Sequence, residues 1–591
     1  MERLEERYYS DNFSKLSGNE FYRIACVFPE TYEIGICNLG HQIVTDLINR
    51  REYFLADRFY TDIKEKSAIN QLPITDFDAI WVSLSFESNL INIVQILSFW
   101  NIPLFSNDRN NDFPLIICGG LLPTYNTEPY ADFFDAMIIG EGEVCIEKIL
   151  DTIEQIGKNK KTLLDIIADF QGVYIPKEVT PIFLGDNNSV LPNNRPHQTS
   201  PVNINNYPAH TYVSTFASYY KQHCFSIEIR RGCNQNCRFC LMGTNYRMCR
   251  ELTFDNVEQL VKSAKEKGTK FIKLFYEGLL ADISKCYFDI IQRENLFARV
   301  GSQRLETTSY ETISYIATFG QRKITFAPES SSKIRKLIGK DSLNNAELFD
   351  KISYALDSGI VDIGLYFIIG LPTEDENDLR EIANIINEVH RIQALKKSLG
   401  NIVVGVNPFY PKPFTSLQYC DFIGQEEALK RFKYILSQIK DTSAVVLNNN
   451  YVDEKIMSSK GKPDNFKLFC GKIIFETSIH TDLCFYQPIL SRGDRKVSKL
   501  LVAAALEKPQ TVADWNRLLE SLNLNIDSFY KLKEQPYYPW NIVNHNINVS
   551  YLEKECRLGF SGISAKKCVQ NCNVCELQCT NRKQSVWKSA S

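Results

Sequence analysis

The residues best suited to chemistry form a short cluster of thiols. The stretch GCNQNCRFC places Cys233, Cys237 and Cys240 within eight positions, and Phe239 precedes the last of them. Structural zinc usually takes four ligands in two pairs. Three cysteines on one loop, with no obvious fourth ligand although Cys249 lies nearby, fit three irons of a 4Fe–4S cluster and leave the fourth iron open to a non-protein ligand. The spacing favours such a cluster over zinc or unconnected thiols.

A second set of cysteines lies near the end of the sequence. The stretch CVQNCNVCELQC supplies four possible ligands within twelve residues, namely Cys568, Cys572, Cys575 and Cys579. Their spacing fits a second 4Fe–4S cluster or a zinc site, and a disordered tail of free thiols is the third alternative. A site closed by four thiolates has no open position, so we expect it to support the fold or electron transfer.

Composition narrows the class of protein. The chain has 591 residues, 44% of them hydrophobic and 23% charged, which predicts a globular protein of two to four domains at about 150 residues each. A net charge of −3 gives no global attraction to nucleic acid or an anionic membrane. No secretory apolar segment and no run of about 18 apolar residues is present, so we expect a cytoplasmic protein without a membrane partner.

The elements that position the first thiol cluster follow from hydrophobic periodicity. Residues 1–185 alternate strands with helices, which predicts a Rossmann-like domain with a parallel sheet. Residues 186–222 are rich in Asn, Pro and Ser and are interpreted as a linker. Residues 223–440 repeat strand and helix and predict an open or closed β/α barrel, and 441–591 a smaller irregular C-terminal domain. The thiol cluster follows the first barrel strand, FSIEIR, at the end where barrels place their chemistry.

The cysteine spacing resembles the hallmark of the radical SAM superfamily. This resemblance implies a 4Fe–4S cluster whose open iron chelates S-adenosyl-L-methionine (SAM). One electron from the cluster would cleave SAM to methionine and a 5′-deoxyadenosyl radical, and the barrel would position both cofactors. It also implies a one-electron reductant such as flavodoxin or ferredoxin as partner.

Other barrel stretches resemble positions that hold SAM in this superfamily. The stretches concerned are FAPESSS, GSQRLE and LFYEG, together with the aromatic residue of the cysteine motif. The resemblance implies cofactor contacts from Phe239, Glu277, Gly278, Ser302, Arg304 and Glu329. The alternative for each single residue is ordinary barrel packing.

A Rossmann-like domain ahead of such a barrel resembles the cobalamin-binding branch of the superfamily. The stretch YYPWNIVNHNINVSYLEKE and the last cysteines resemble the tail of one poorly characterised subgroup. Two predicted strands end in glycines, which let a backbone approach a ligand closely. Candidate contacts to cobalamin are Asn38, Gly119, Gly120, Gly140 and Gly142.

The cobalt atom lacks an evident protein ligand in this sequence. Residues 1–185 contain no Asp-x-His-x-x-Gly loop, and their single histidine is His41. Because His41 is predicted at the start of a helix, a packed or surface role is favoured over cobalt ligation. We therefore expect the lower face of cobalamin to be free of histidine.

These features predict an enzyme that methylates an unactivated carbon of an unknown substrate, which could be a small molecule, RNA or protein. The first alternative is non-methylating chemistry with the same cofactors, namely rearrangement, cyclisation or anaerobic oxidation. A rival from a different class is an RNA-binding or scaffold protein with a structural cluster. The absence of a fourth cysteine from the triad disfavours this rival, because a structural cluster would use four.

Overall fold

The computed structural model confirms the α/β class, with an open sheet and a partial barrel in which nearly all neighbouring strands are parallel. It describes residues 6–7, 21–208, 213–214, 224–246, 249–266, 268–276, 281–441, 444–448, 451–452, 471–545 and 547–566. None of the helices within these ranges is long and apolar enough to cross a membrane.

The first sheet is Rossmann-like, as predicted. Its strands are β1 (Tyr22–Val27), β2 (Phe54–Phe59), β3 (Ala79–Leu84), β4 (Leu115–Gly120), β5 (Ala136–Ile138) and β6 (Val173–Tyr174). They lie in the order β2-β1-β3-β4-β5-β6, and only β6 is antiparallel to its neighbour. The order reverses between β1 and β3, and ligands of such sheets bind beyond the carboxyl ends of the strands at this reversal.

Helices cover both faces of the first sheet. Its own helices are α1 (Leu39–Asn49), α2 (Asn89–Phe99), α3 (Glu143–Ile156) and α4 (Lys160–Ile167). One face packs against apolar residues of α1, α3 and α4, whereas the other packs against α2. Burial on two sides explains why β3 and β4 are free of charged residues, whereas β2 buries Asp57 and Arg58.

The second sheet is a partial barrel. Its strands are β7 (Cys224–Glu228), β8 (Phe271–Phe275), β9 (Phe297–Val300), β10 (Lys323–Glu329), β11 (Asp362–Ile369), β12 (Ile402–Pro408), β13 (Val445–Asn448), β14 (Tyr451–Val452) and β15 (Ile473–Thr477). Strands β7, β8 and β9 form one part, and the rest lie in the order β10-β11-β12-β15-β13-β14. An isolated bridge between Gln303 and Phe326 joins the two parts.

Outer helices cover the convex side of this barrel. They are α5 (Phe254–Glu266), α6 (Ala281–Arg293), α7 (Tyr310–Thr318), α8 (Ser332–Ile338), α9 (Asn345–Asp357), α10 (Glu376–Leu395) and α11 (Gly424–Ser437). Alternate strand residues such as Leu365 and Val404 are buried against them. Tyr366 lies between buried neighbours in β11 and is still 42% exposed. The lumen of the barrel is therefore open.

The second sheet extends past the predicted boundary at residue 440, because β15 pairs with β12 and β13 in parallel. The following helices are α12 (Asp482–Arg492), α13 (Val497–Glu507), α14 (Val512–Ser521) and α15 (Val549–Phe560). Apolar residues of α12, α13 and α14 share one hydrophobic core with α2 and the first sheet. This part of the chain returns to the N-terminal domain and covers the second face of its sheet.

Candidate functional site

The cysteine loop directly follows β7 at the carboxyl end of the barrel. Gly232 begins it with a φ of +88°, a left-handed conformation that glycine adopts without steric cost. The backbone N–H of Cys233 donates to the Tyr246 carbonyl at 3.0 Å, and that of Cys240 donates to the Cys237 carbonyl at 3.1 Å. These bonds close the loop on itself and keep its three cysteines on one short segment.

A cation lies beside the thiols. The Arg304 guanidinium donates to the Cys237 sulfur at 3.4 Å and pairs with Glu306 at 2.9 Å. Burial, together with the charges of Cys237 and Cys233, raises the pKa of the Cys240 thiol to about 12. Positive charge beside this thiol, such as that of bound iron, would favour its thiolate.

Among the described residues, no group of three or more Cys, His, Asp or Glu side chains is arranged to hold a single metal ion. The features that fit a 4Fe–4S cluster are the three thiols on one loop and the guanidinium of Arg304 beside them.

Glu329 ends β10 near the same loop. Its φ of +65° is uncommon for a residue other than glycine, and the pairing with β11 shifts register just before it. Its carboxylate accepts from Lys340 at 2.7 Å, and both side chains are buried. The Glu329 and Cys237 charges raise the pKa of Lys340 although burial opposes them. The sequence patterns did not single out Lys340, because its role depends on a contact across eleven residues.

The other residues predicted to contact SAM differ in how far they are buried. Phe239 packs against a small apolar cluster that includes Leu337 and Leu417. Ser302 is exposed, and Gln303 beside it bonds with the Tyr276 hydroxyl at 2.9 and 2.6 Å. The predictions for Glu277, Gly278, Cys568, Cys572, Cys575 and Cys579 lie outside the described residues.

A cavity of about 490 Å³ separates the carboxyl edge of the first sheet from the mouth of the barrel. All five residues predicted to contact cobalamin line it, namely Asn38, Gly119, Gly120, Gly140 and Gly142. The opposite wall is formed by Glu228, Arg231, Gly232, Met242, Tyr246, Phe275 and Tyr276. Gly232 and Met242 flank the cysteine motif, so the cavity adjoins the cysteine loop. Its volume is typical of small-molecule and cofactor sites.

The glycines at the strand ends keep this edge free of side chains. Gly120 has a φ of +118°, and a Cβ there would overlap the backbone carbonyl of Leu84. Asn38 caps α1 by accepting from the His41 N–H at 2.9 Å and donates to Ser85 at 3.1 Å. Bare backbone and small polar groups at a strand edge suit a large ring or its nucleotide tail.

His41 is packed, as predicted. Its ring lies 5.6 Å from Phe28 and 5.8 Å from Tyr60, and its Nδ1 bonds to the Ser83 hydroxyl at 3.2 Å. Burial lowers the pKa of His41 to about 3, so the ring is neutral at physiological pH. Its Nε2 is inaccessible and has no hydrogen-bond partner in the described part of the chain. His41 therefore presents no open nitrogen to the cavity.

A network of charges joins the two walls of the cavity, and sequence patterns gave no signal for it. Glu141 accepts from Arg250 at 2.6 and 2.7 Å and from Arg231 at 3.1 Å. Arg231 also pairs with Glu143 at 2.6 Å and with Glu228 at 2.8 Å. Burial alone would raise the pKa of Glu141, but Arg250 and Arg231 lower it below its usual value. The pKa of Glu143 is raised by burial despite Arg231.

The subgroup motif near the C-terminus has a packing role. Trp540 is fully buried, stacks on Tyr538 at 4.9 Å and donates to the Gln418 side chain at 3.2 Å. Asn541 accepts from the Tyr538 N–H at 2.7 Å and caps the turn. These contacts attach the C-terminal segment to the loop that follows β12.

The proteins similar to this chain include a curated relative and two solved structures. An uncharacterized protein of Methanocaldococcus jannaschii, MJ0966, is 26% identical over 81% of this chain and 90% of its own length. The radical S-adenosylmethionine methyltransferase TsrM from Kitasatospora setae, solved with cobalamin and a 4Fe–4S cluster bound, is 12% identical with a TM-score of 0.46. That match covers 68% of this chain and 77% of TsrM. The cobalamin-dependent S-adenosylmethionine radical enzyme OxsB, with aqua-cobalamin and S-adenosylmethionine bound, is 13% identical with a TM-score of 0.47. That match covers 86% of this chain and 72% of OxsB.

Two family descriptions match successive parts of the chain. Residues 40–176 match "Radical SAM proteins, N-terminal", a range that contains β2 to β6 of the first sheet and nearly all of its helices but not β1. Residues 227–386 match "Radical SAM superfamily", which begins in β7 and includes the whole cysteine loop, Arg304 and Glu329. Together they span half of the sequence, and membership implies an enzyme that uses a 4Fe–4S cluster and SAM. The chain belongs to the radical SAM superfamily.

Proposed function

We propose that the protein is a cobalamin-dependent radical SAM methyltransferase that methylates an unactivated carbon. The observation that carries this proposal is the cavity of about 490 Å³, with the glycine-ended edge of the first sheet on one wall and the flanks of the cysteine loop on the other. A molecule held on the sheet edge faces the loop at which the radical is generated. Methyl transfer to a carbon radical requires that proximity.

The cofactors define the chemistry, and the residues of this chain position them. When bound, the cluster supplies the electron that cleaves SAM, and cobalamin supplies the methyl group. Cys233, Cys237 and Cys240 would hold the cluster, and the hydrogen bond from Arg304 to the Cys237 sulfur favours the thiolate. Glu329 would contact SAM with its charge balanced by Lys340.

The strand edge supports cobalamin through backbone rather than through a metal ligand. Gly119, Gly120 and Gly142 expose main chain to the cavity, and Asn38 offers an amide next to them. Because Nε2 of His41 is inaccessible, no imidazole coordination of cobalt is expected from it. This setting of His41 supports the expectation that the lower face of cobalamin is free of histidine.

The proposal includes a substrate from one of three classes and a one-electron donor. A small molecule, an RNA or a protein side chain could enter the lumen, which is open at Tyr366. Flavodoxin or ferredoxin is the expected source of the electron. Rearrangement, cyclisation or oxidation would use the same cavity, so the product must distinguish these reactions from methylation.

Two reciprocal variants test the proposal. Under anaerobic conditions with SAM, reductant and hydroxocobalamin, the protein should release 5′-deoxyadenosine and retain cobalamin through gel filtration. Gly119→Leu should lose cobalamin and keep SAM cleavage, because a Cβ there meets only an ordinary contact with Ile138 at 3.6 Å while a longer side chain fills the cavity. Cys237→Ala should keep cobalamin and lose SAM cleavage.

The methyl-transfer step needs its own readout. Cell extract treated with the enzyme and methyl-labelled SAM should yield a labelled product. Deoxyadenosine release without any label in the extract would favour the non-methylating alternatives. Cobalamin binding that Gly119→Leu leaves unchanged would contradict the assigned site.

A further inference from the structure

A buried guanidinium lies inside the cysteine motif itself. Arg238 stands between Cys237 and Phe239, and its side chain is 0% exposed. Its Nη1 donates to the carbonyls of Lys336 and Leu337 at 3.1 and 3.0 Å. Its Nη2 donates to the Ile563 carbonyl at 2.9 Å and lies 3.1 Å from the Glu555 carboxylate, which also accepts from Nε at 3.2 Å. The five N–H donors of arginine are thereby satisfied.

These contacts join three distant segments to one loop residue. The carbonyls of Lys336 and Leu337 lie in the last turn of α8, where a cation also complements the helix dipole. Glu555 lies on α15, and Ile563 follows the end of that helix. The backbone of Arg238 adds two bonds, from its N–H to the Ile338 carbonyl at 3.0 Å and from the Leu417 N–H to its own carbonyl at 3.2 Å.

Helix α15 contacts the loop at two further points. The Asn236 side-chain amide donates to the Tyr551 hydroxyl at 2.7 Å, and this contact is buried. Gly559 faces Arg238 and the end of α8. A Cβ at Gly559 would lie 2.7 Å from the Leu337 carbonyl oxygen and 3.0 Å from Cδ of Arg238. The helix therefore lies directly against the segment between the first and third cysteines.

We propose that Arg238 is a positioning residue for the 4Fe–4S cluster and that α15 acts as a clamp on the cysteine loop. An isolated buried charge is strongly unfavourable, whereas a paired and fully hydrogen-bonded one is tolerated. The loop can keep Arg238 buried only while Glu555 and the Ile563 carbonyl are in place. Order in the loop and docking of α15 are coupled in this way. This inference depends on the cluster and not on cobalamin or on methyl transfer.

Two variants of nearly constant size test this contact, one at each partner. Arg238→Lys retains a cation but loses the planar fork, and Glu555→Gln removes the counter-charge at nearly constant size. The matched control is Arg109→Lys in the first sheet. Its guanidinium is equally buried, donates to the Pro103, Leu104 and Phe133 carbonyls and lies 3.4 Å from Asp135, all in the N-terminal domain.

The readouts separate cluster geometry from general stability. We would measure iron per chain after anaerobic reconstitution, the rate of iron release to a chelator and the EPR spectrum of the reduced cluster with and without SAM. Thermal unfolding of each apoprotein would be measured alongside. Arg238→Lys and Glu555→Gln should release iron about 10- to 100-fold faster, as is typical when outer partners of metal ligands are changed. Their EPR spectra should also change, whereas Arg109→Lys should lower only the thermal stability.

One result would overturn the inference. If both variants keep wild-type iron release and EPR spectra while their apoproteins lose stability as Arg109→Lys does, Arg238 has only a general structural role. Should Arg238→Lys fail to fold, Tyr551→Phe offers a milder change that removes the hydrogen bond donated by Asn236. It should still speed iron release several-fold, with some loss of apoprotein stability because a buried hydrogen bond is lost. An unchanged rate of iron release would equally contradict the clamp.

Discussion

The charge network between the two cavity walls allows a quantitative test with Glu141→Gln. The Glu141 and Arg250 side chains are 6% and 10% exposed and lie 2.6 Å apart. Arg231 keeps Glu143 and Glu228 after the substitution, whereas Arg250 loses the carboxylate to which both of its Nη atoms donate. Breaking a buried pair on one side costs about 3–5 kcal/mol. Because glutamine can still accept one hydrogen bond, we expect Glu141→Gln to lower the free energy of unfolding by about 3 kcal/mol, the lower end of this range.

The matched control is Glu154→Gln on α3. Glu154 lies 3.8 Å from Arg51, and both side chains are about one third exposed, at 31% and 30%. Pairs of this kind contribute about 0–1 kcal/mol. The assay is the free energy of unfolding in urea at pH 7, completed by a double-mutant cycle with Arg250→Met. A loss below about 1 kcal/mol for Glu141→Gln, or a coupling energy near zero, would refute the reasoning.

The direction of the Glu141 pKa shift predicts how the stability difference between wild type and Glu141→Gln changes with pH. The folded-state pKa of Glu141 is lowered, so its stabilising effect is present above the unfolded pKa of about 4.3 and is lost as the pH falls through the folded value. Wild type should therefore lose its advantage over Glu141→Gln under acid conditions. An advantage that instead grows below about pH 4 would contradict the assigned direction.

Further variants test other parts of the site. Gly120→Ala should destabilise the protein by about 3 kcal/mol, measured in urea, because φ is +118° and the new Cβ overlaps a backbone carbonyl. Lys340→Met should raise the KM for SAM at unchanged iron content, since it leaves the adjacent buried carboxylate unpaired. His41→Ala should leave the spectrum of bound hydroxocobalamin unchanged, and loss of an axial-nitrogen signature would contradict this. Replacing Cys572 and Cys575 by Ser should remove about four irons per chain if the tail binds a second cluster, or zinc and thermal stability if it binds zinc.

Local sequence patterns were sufficient for the two sheets and the cysteine loop. Strand periodicity and glycine-ended strands depend on neighbouring residues, so they are visible along the chain. The same holds for Cys233, Cys237 and Cys240, whose spacing is short. The assignment of Gly119 and Gly142 to one cavity required only that parallel strands end at a common edge.

Contacts between distant segments were not visible in the sequence. Glu141 and Arg250 are 109 positions apart, and Arg238 and Glu555 are 317 apart. The sequence around each of these residues does not indicate its partner, because an ion pair between distant segments produces no repeating sequence pattern. The extension of the barrel to β15 was missed for a related reason, since β15 is a five-residue strand separated from β12 by helix α11 and irregular sequence.

The two hidden networks act on the same short loop from opposite sides. Arg231 precedes the first cysteine by two positions and binds Glu141 and Glu143 of the N-terminal domain. Arg238 lies between the second and third cysteines and binds Glu555 of the C-terminal helix. The loop that carries the thiols is therefore fixed by residues from both ends of the chain.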